Sequence, residues 1–221
     1  MAWAWLLAIA VLGLGCGRSP TGPIHDFGNN DPNVFVAFGD SITSGTGDTG
    51  SDAPDDPSCV LHNTEFGYPP RLATLLGATV INEGVCGDTS GGGAARVQSV
   101  LSRHRPGYLL ILFSPNDLFT PMDTIIENLR FIIQAAKDNK TIPIIGTLTP
   151  AFYSHRGWEP FIEALNPRIV QLANEEGIQV ADHWTAFNMD ASLLTEDGLH
   201  PNARGYEVMA RTWYEAILNV P

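Results

Sequence analysis

Basic residues are scarce in this 221-residue chain: 12 Lys plus Arg stand against 24 Asp plus Glu, a formal net charge of -12 at pH 7. A surface of that sign repels phosphate backbones and anionic lipid headgroups, so nucleic acid is not an expected partner. Cysteine is nearly absent, with only Cys16, Cys59 and Cys86, and no pair of cysteines or histidines has the short ligand spacing of a zinc site. Gly91-Gly92-Gly93 lacks a following Lys-Ser or Lys-Thr, which excludes a phosphate loop. The acidic stretch from Asp48 to Asp56 offers oxygen ligands without calcium-loop spacing, and it reads as a solvated loop. No metal or cofactor is expected from these patterns. Hydrophobic residues at 44% with charged residues at 16% describe a chain that folds, and its length with no composition shift fits one folded domain.

Long apolar runs are missing beyond the first fifteen residues. That run, Met1 to Gly15, is too short to anchor in a bilayer and ends in small residues, so residues 1–16 read as an export signal. Cys16 after Leu14-Gly15 resembles the position at which bacterial lipoproteins are cleaved and acylated. The expected locations are therefore the periplasm, a membrane tether through Cys16, or secretion. Two details depart from that pattern: no Lys or Arg precedes the run, and Gly13 stands where Leu is usual. With Cys16 lipidated, Cys59 and Cys86 remain as an even pair in an oxidising compartment, where a disulfide worth roughly 3 kcal/mol is favoured.

Residues 17–32 are rich in Pro, Gly and Asn without apolar periodicity and read as a linker, so the folded domain is expected over 33–221. Within it, short apolar runs at Val34–Phe38, Thr79–Asn82, Tyr108–Phe113, Thr141–Thr147 and Ile178–Ala181 alternate with stretches of helical spacing. The helical stretches are Tyr68–Leu76, Gly93–Arg103, Met122–Asp138, Pro160–Glu176 and Ala203–Asn219. Runs such as Leu109-Leu110-Ile111-Leu112-Phe113 are continuously apolar, as a strand covered on both faces requires. The prediction is an α/β fold: a three-layer α/β/α sandwich around a central, mainly five-stranded parallel sheet.

Functional groups in such sheets collect at the carboxyl ends of the strands. The first run ends in Phe38-Gly39-Asp40-Ser41, and the second leads into Asn82-Glu83-Gly84-Val85-Cys86-Gly87-Asp88-Thr89. After the third comes Ser114-Pro115-Asn116-Asp117, and a longer loop after the fifth carries Asp197-Gly198-Leu199-His200. Acyl transfer needs a hydroxyl nucleophile, an imidazole, a carboxylate to hold it and donors for an oxyanion, and all four arise at this one edge. Asp197 and His200, three apart, suit a compact carboxylate–imidazole pair. His183 directly follows Asp182, but neighbours in an extended segment point to opposite faces, so it reads as structural.

These stretches resemble, in order, the four sequence blocks of the SGNH, or GDSL, hydrolases, whose fold is flavodoxin-like. The resemblance implies Ser41 as nucleophile, His200 as general base and Asp197 as its partner. It implies an oxyanion hole of the Ser41 amide, the Gly87 amide and the Asn116 side chain. One departure stands out: the third block usually has glycine two residues before its asparagine, where this chain has Ser114. The implied activity is hydrolysis of short-chain acyl or aryl esters, with thioesterase or lysophospholipase side activity. The alternatives are a carbohydrate O-acetyl esterase and a non-catalytic surface lipoprotein that binds a ligand in an esterase-like cleft. The substrate partner would accordingly be a small-molecule or carbohydrate ester. Leu118, Phe119, Phe152, Tyr153 and Trp158 are candidate acyl- or sugar-pocket residues, equally plausible as core. A Cys59–Cys86 bridge would tie the polar loop after Ser41 to the turn carrying Gly87.

Overall fold

The computed structural model describes residues 25–49 and 62–220. The expected signal segment, Cys16 and Cys59 lie outside the described residues, as do Asp52, Asp55 and Asp56.

Five parallel strands form one sheet: β1 (Asp31–Gly39), β2 (Thr79–Gly84), β3 (Pro106–Leu112), β4 (Ile142–Gly146) and β5 (Gln179–Ala181), in the order β2-β1-β3-β4-β5. All neighbouring pairs run parallel, with Gly39 aligned to both Gly84 and Leu112. Chain order and strand order diverge at β1, which is flanked by β2 on one side and β3 on the other. Such a switch point leaves a crevice outside the carboxyl ends of the strands.

The helices are α1 (Ser41–Ser44), α2 (Tyr68–Leu76), α3 (Ser90–His104), α4 (Met122–Asp138), α5 (Glu159–Glu176), α6 (His183–Phe187) and α7 (Ala203–Leu218). α3, α4 and α5 pack side by side, and α2, α7 and α6 form the other layer. The predicted three-layer sandwich is the observed one. In α4 the buried residues Ile125, Leu129, Ile132, Ile133 and Ala136 recur at helical spacing, which turns one apolar stripe onto the sheet. Leu109, Leu110, Ile111 and Leu112 are buried on both faces of β3, each such side chain contributing on the order of 1.5–3 kcal/mol. No helix among the described residues is long and apolar enough to cross a membrane.

Three expectations change. Structure begins before residue 33: β1 starts at Asp31, Asn30 Nδ2 donates to the carbonyl of Asn139, and Phe27 meets the Tyr108 ring at 5.8 Å. These contacts, made with residues distant in sequence, hold the end of a Pro/Gly/Asn-rich segment that composition alone marks as linker. Asp48 is not solvated; its carboxylate receives both terminal nitrogens of Arg71, at 2.6 and 2.9 Å, and the amide of Gly67 at 2.7 Å. The third glycine of Gly91-Gly92-Gly93 was expected to begin a helix, yet α3 starts at Ser90, because Thr89 accepts the Gly92 amide at 3.2 Å and caps it.

Candidate active site

Ser41 opens α1 immediately beyond the end of β1. Asp40 caps this short helix, its carboxylate accepting the Ile42 amide at 3.0 Å. Gly39 is required by close approach: a Cβ there would meet Thr43 Oγ1 and the Leu112 carbonyl. The Gly-Asp-Ser tripeptide thus lets a helix turn sit directly on the sheet edge with its first side chain facing outward. Burial pushes the Asp40 carboxyl up to about 7, against the lowering effect of the Ile42 amide and the nearby His200.

The loop from Leu194 to Pro201 closes on an antiparallel bridge between those two residues and carries the other two members. Ser41 Oγ lies 2.9 Å from His200 Nε2, and His200 Nδ1 lies 2.5 Å from Asp197 Oδ2. Asp197 Oδ1 accepts from Thr195 Oγ1 at 2.9 Å, the Leu199 amide at 2.7 Å and the His200 amide at 3.0 Å. Burial raises the Asp197 pKa, but the hydrogen bonds from the His200 ring and these amides outweigh it and hold the carboxyl well below its usual range. An ionised carboxylate only accepts, so Nδ1 carries a proton, which in the neutral tautomer leaves Nε2 without one. Nε2 is then a lone pair aimed at the serine hydroxyl. Residues 41, 197 and 200, separated by up to 159 positions, are brought into one hydrogen-bonded chain.

The turn after β2 places Gly87 at φ 75°. Its neighbour Asp88 offers the carbonyl that accepts Asn116 Nδ2 at 2.8 Å. A carboxamide nitrogen carries two hydrogens, so one remains for a ligand. Asn116 belongs to a 3-10 turn, Pro115–Asp117, held by Asp117, whose carboxylate takes the Ser90 amide at 2.8 Å and the Ser90 hydroxyl at 3.1 Å. Cys86, beside Gly87, is disulfide-bonded, and its Sγ is 3.5 Å from Thr46 Oγ1.

This constellation occurs inside a recognisable sequence unit. The model of the GDSL-like Lipase/Acylhydrolase family matches residues 37–208. The chain belongs to the GDSL-like lipase/acylhydrolase family. Among curated relatives of this GDSL hydrolase is the thioesterase 1/protease 1/lysophospholipase L1 of Escherichia coli (strain K12), 31% identical over 129 residues, 56% of this chain and 60% of that protein. An arylesterase of Vibrio mimicus is 30% identical over 127 residues, 56% of this chain and 62% of that protein. The match therefore spans about 60% of the length of the first of these relatives. Among solved structures, a member of the lipolytic protein G-D-S-L family from Veillonella parvula DSM 2008 superposes with TM-score 0.66 at 22% identity, covering 84% of this chain and 98% of that one. An acetyl xylan esterase from Geobacillus stearothermophilus gives TM-score 0.69 at 21% identity, covering 85% and 95%. At these identities the structures speak for the fold.

The other candidates from the GDSL sequence divide. Phe119 is 96% and Tyr153 60% exposed, whereas Phe152 and Trp158 are partly buried against the core. His183 is structural as expected, for a different reason than an extended segment: Asp182 caps α6, and His183, its first residue, is fully buried with its ring 5.0 Å from that of Trp213. Sequence reasoning missed the clamp on Asp197, whose carbonyl accepts from Ser154 Oγ at 2.6 Å and from His155 Nδ1 at 2.8 Å. It also missed Arg96, which bonds Asp88 and the carbonyl of Gly39. An acidic residue and an arginine eight positions apart leave no short-range signature.

Proposed function

We propose that this protein is a serine esterase that hydrolyses carboxylic esters with short acyl or aryl groups through an acyl-enzyme on Ser41. The observation that carries the reading is the continuous chain Ser41 Oγ, His200 Nε2, His200 Nδ1, Asp197 Oδ2, with both links at hydrogen-bond distance. His200 takes the Ser41 proton while Oγ bonds the ester carbonyl carbon. The amides of Ser41 and Gly87 and the second hydrogen of Asn116 Nδ2 hold the oxyanion. Its collapse breaks the carbon–oxygen bond, and the alcohol leaves with the proton from His200. Water, deprotonated by His200, attacks the acyl-enzyme and releases the acid.

Hydrolysis of p-nitrophenyl acetate by wild type, Ser41→Ala and Asn116→Ala tests this scheme. Ser41→Ala is expected to abolish turnover, and Asn116→Ala to lower kcat by about 100- to 1,000-fold in a folded protein. Full activity in folded Ser41→Ala protein removes the acyl-enzyme scheme on Ser41, whereas folded wild type that hydrolyses no ester leaves ligand binding without catalysis as the remaining reading.

A second reading, O-deacetylation of carbohydrate, is favoured by Tyr153, an exposed aromatic ring next to the clamp on Asp197. Such rings present an apolar face with a polar tip, suited to a sugar. Acetylated xylan compared with p-nitrophenyl esters of rising chain length separates the two. Under either reading the apolar first fifteen residues and Cys16 support export, with the mature protein outside the cytoplasm.

A further inference from the structure

Arg96 stands on α3, 22% exposed, and points back under the turn that carries Gly87. Its guanidinium lies over the Phe38 ring at 4.2 Å. Nε donates to Asp88 Oδ2 at 2.8 Å and Nη2 to the Gly39 carbonyl at 2.9 Å, while Nη1 faces Glu83 Oε2 at 3.8 Å. The same Gly39 carbonyl accepts the Val85 amide at 3.0 Å, and the Asp88 amide donates to the Val85 carbonyl at 3.0 Å. Asp88 Oδ1 accepts the Thr89 amide at 2.9 Å, and the Asp88 carbonyl accepts Asn116 Nδ2. One side chain therefore ties the last carbonyl of β1, two residues before Ser41, to the residue after Gly87 and, through the Asp88 carbonyl, to Asn116.

We infer that Arg96 is a positioning residue for the oxyanion hole: its planar fork bridges Gly39 and Asp88 and so fixes the Ser41 amide, the Gly87 amide and the Asn116 side chain relative to one another. The inference rests on the serine-esterase reading above. An arginine suits this position because one rigid group reaches two acceptors at a set angle while its face covers an aromatic ring, which a single ammonium cannot do. An oxyanion hole acts through preorganisation, so loosening it weakens binding of the transition state more than of the ester. The signature is a fall in kcat with KM little changed. A residue that only stabilised the fold would lower the melting temperature and leave the kcat of the folded fraction intact.

The test is a double-mutant cycle on p-nitrophenyl acetate with Arg96→Met and Asn116→Ala, with thermal melts of each variant and Ser41→Ala as a control. Arg96→Met is expected to lower kcat by about 10- to 100-fold with KM within about twofold, and the double variant to lie within about threefold of Asn116→Ala alone, because both losses act on one unit. Unchanged kcat in folded Arg96→Met protein, or losses that multiply in the double variant, overturns the inference. Should Arg96→Met not fold, the same cycle with Arg96→Lys decides, with a smaller non-additive loss expected. Full activity of Ser41→Ala would instead remove the esterase reading itself, whatever Arg96 does.

Discussion

Gly198 and Phe152 are interlocked through their backbones. The Phe152 amide donates to the Gly198 carbonyl at 2.7 Å, and the Phe152 carbonyl occupies the place where a Cβ on Gly198 would stand. Gly198 also adopts φ 77°, a conformation that L side chains rarely take. The segment after β4 is thereby pressed against the turn between Asp197 and His200, and Ser154 and His155 complete the contact on the Asp197 carbonyl. Gly198→Ala must push this turn away from the segment. A loss of about 1–3 kcal/mol in stability is expected from the backbone conformation alone. Because the turn carries the imidazole, kcat should fall at least about tenfold, since small displacements at a reacting centre cost rate steeply. Urea unfolding and steady-state kinetics on the same preparation check both; a stable variant with wild-type kcat would show that the interlock has no part in placing His200.

Ser114 stands where the GDSL family usually has glycine, and the structure shows what that glycine supplies. The residue has φ 122° and ψ -5°, and its hydroxyl is buried with no hydrogen-bond partner among the described residues. Serine here carries both backbone strain and an unsatisfied polar atom. Ser114→Gly removes both and adds unfolded-chain entropy of about 0.5–1 kcal/mol, against strain of about 1–3 kcal/mol, so a net gain of about 1 kcal/mol is expected. For a chain of this size that is a Tm rise of about 2–4 °C, measurable by calorimetry. Activity should stay within about twofold, since Asn116 is held separately by its bond to the Asp88 carbonyl. A lower Tm would mean that the serine hydroxyl has a partner worth more than the strain.

The sheet and the residues that the structure joins into the Ser41–His200–Asp197 hydrogen-bonded chain were legible because their signals are short-range. Apolar runs bounded by turn residues mark β1 to β5, and Ser41, Gly87 and Asn116 each follow such a run closely enough for a strand end to be read, whereas Asp197 and His200, on a longer loop after β5, are marked by their own three-residue spacing. What escaped depends on backbone course over long separations: Ser154 and His155 meet Asp197 across 43 and 42 positions, and Arg96 meets Gly39 across 57. The helices α1 and α6, with four and five residues, are too short to show a 3.6-residue period at all. Their side-chain caps, Asp40 and Asp182, were their only sequence trace, and an aspartate alone does not distinguish a cap from a turn.

Two buried groups with pKa values displaced in opposite directions shape stability against pH. His183 is fully buried, neither ring nitrogen has a hydrogen-bond partner among the described residues, and burial pulls its pKa down to about 3. Below pH 6.5 the unfolded chain takes up a proton that the folded chain refuses, so His183 erodes stability as pH falls from 6.5 toward 3. Asp40 works in reverse: its folded pKa of about 7 lies above the ordinary 3.8, so the unfolded chain releases a proton that the folded chain keeps. Its contribution is full below pH 3.8 and is lost as pH rises through 7. Each slope is at most about 1.4 kcal/mol per pH unit, and between pH 3.8 and 6.5 they oppose one another. Removing either group exposes the other. Relative to wild type, His183→Phe, which keeps a ring against Trp213, should gain on the order of 2–3 kcal/mol on going from about pH 7 to about pH 4. Asp40→Asn, which keeps the cap on Ile42, should gain a similar amount in the opposite direction. Urea midpoints at several pH values measure both, and curves that run parallel to wild type would mean that neither group is held in its neutral form by the fold.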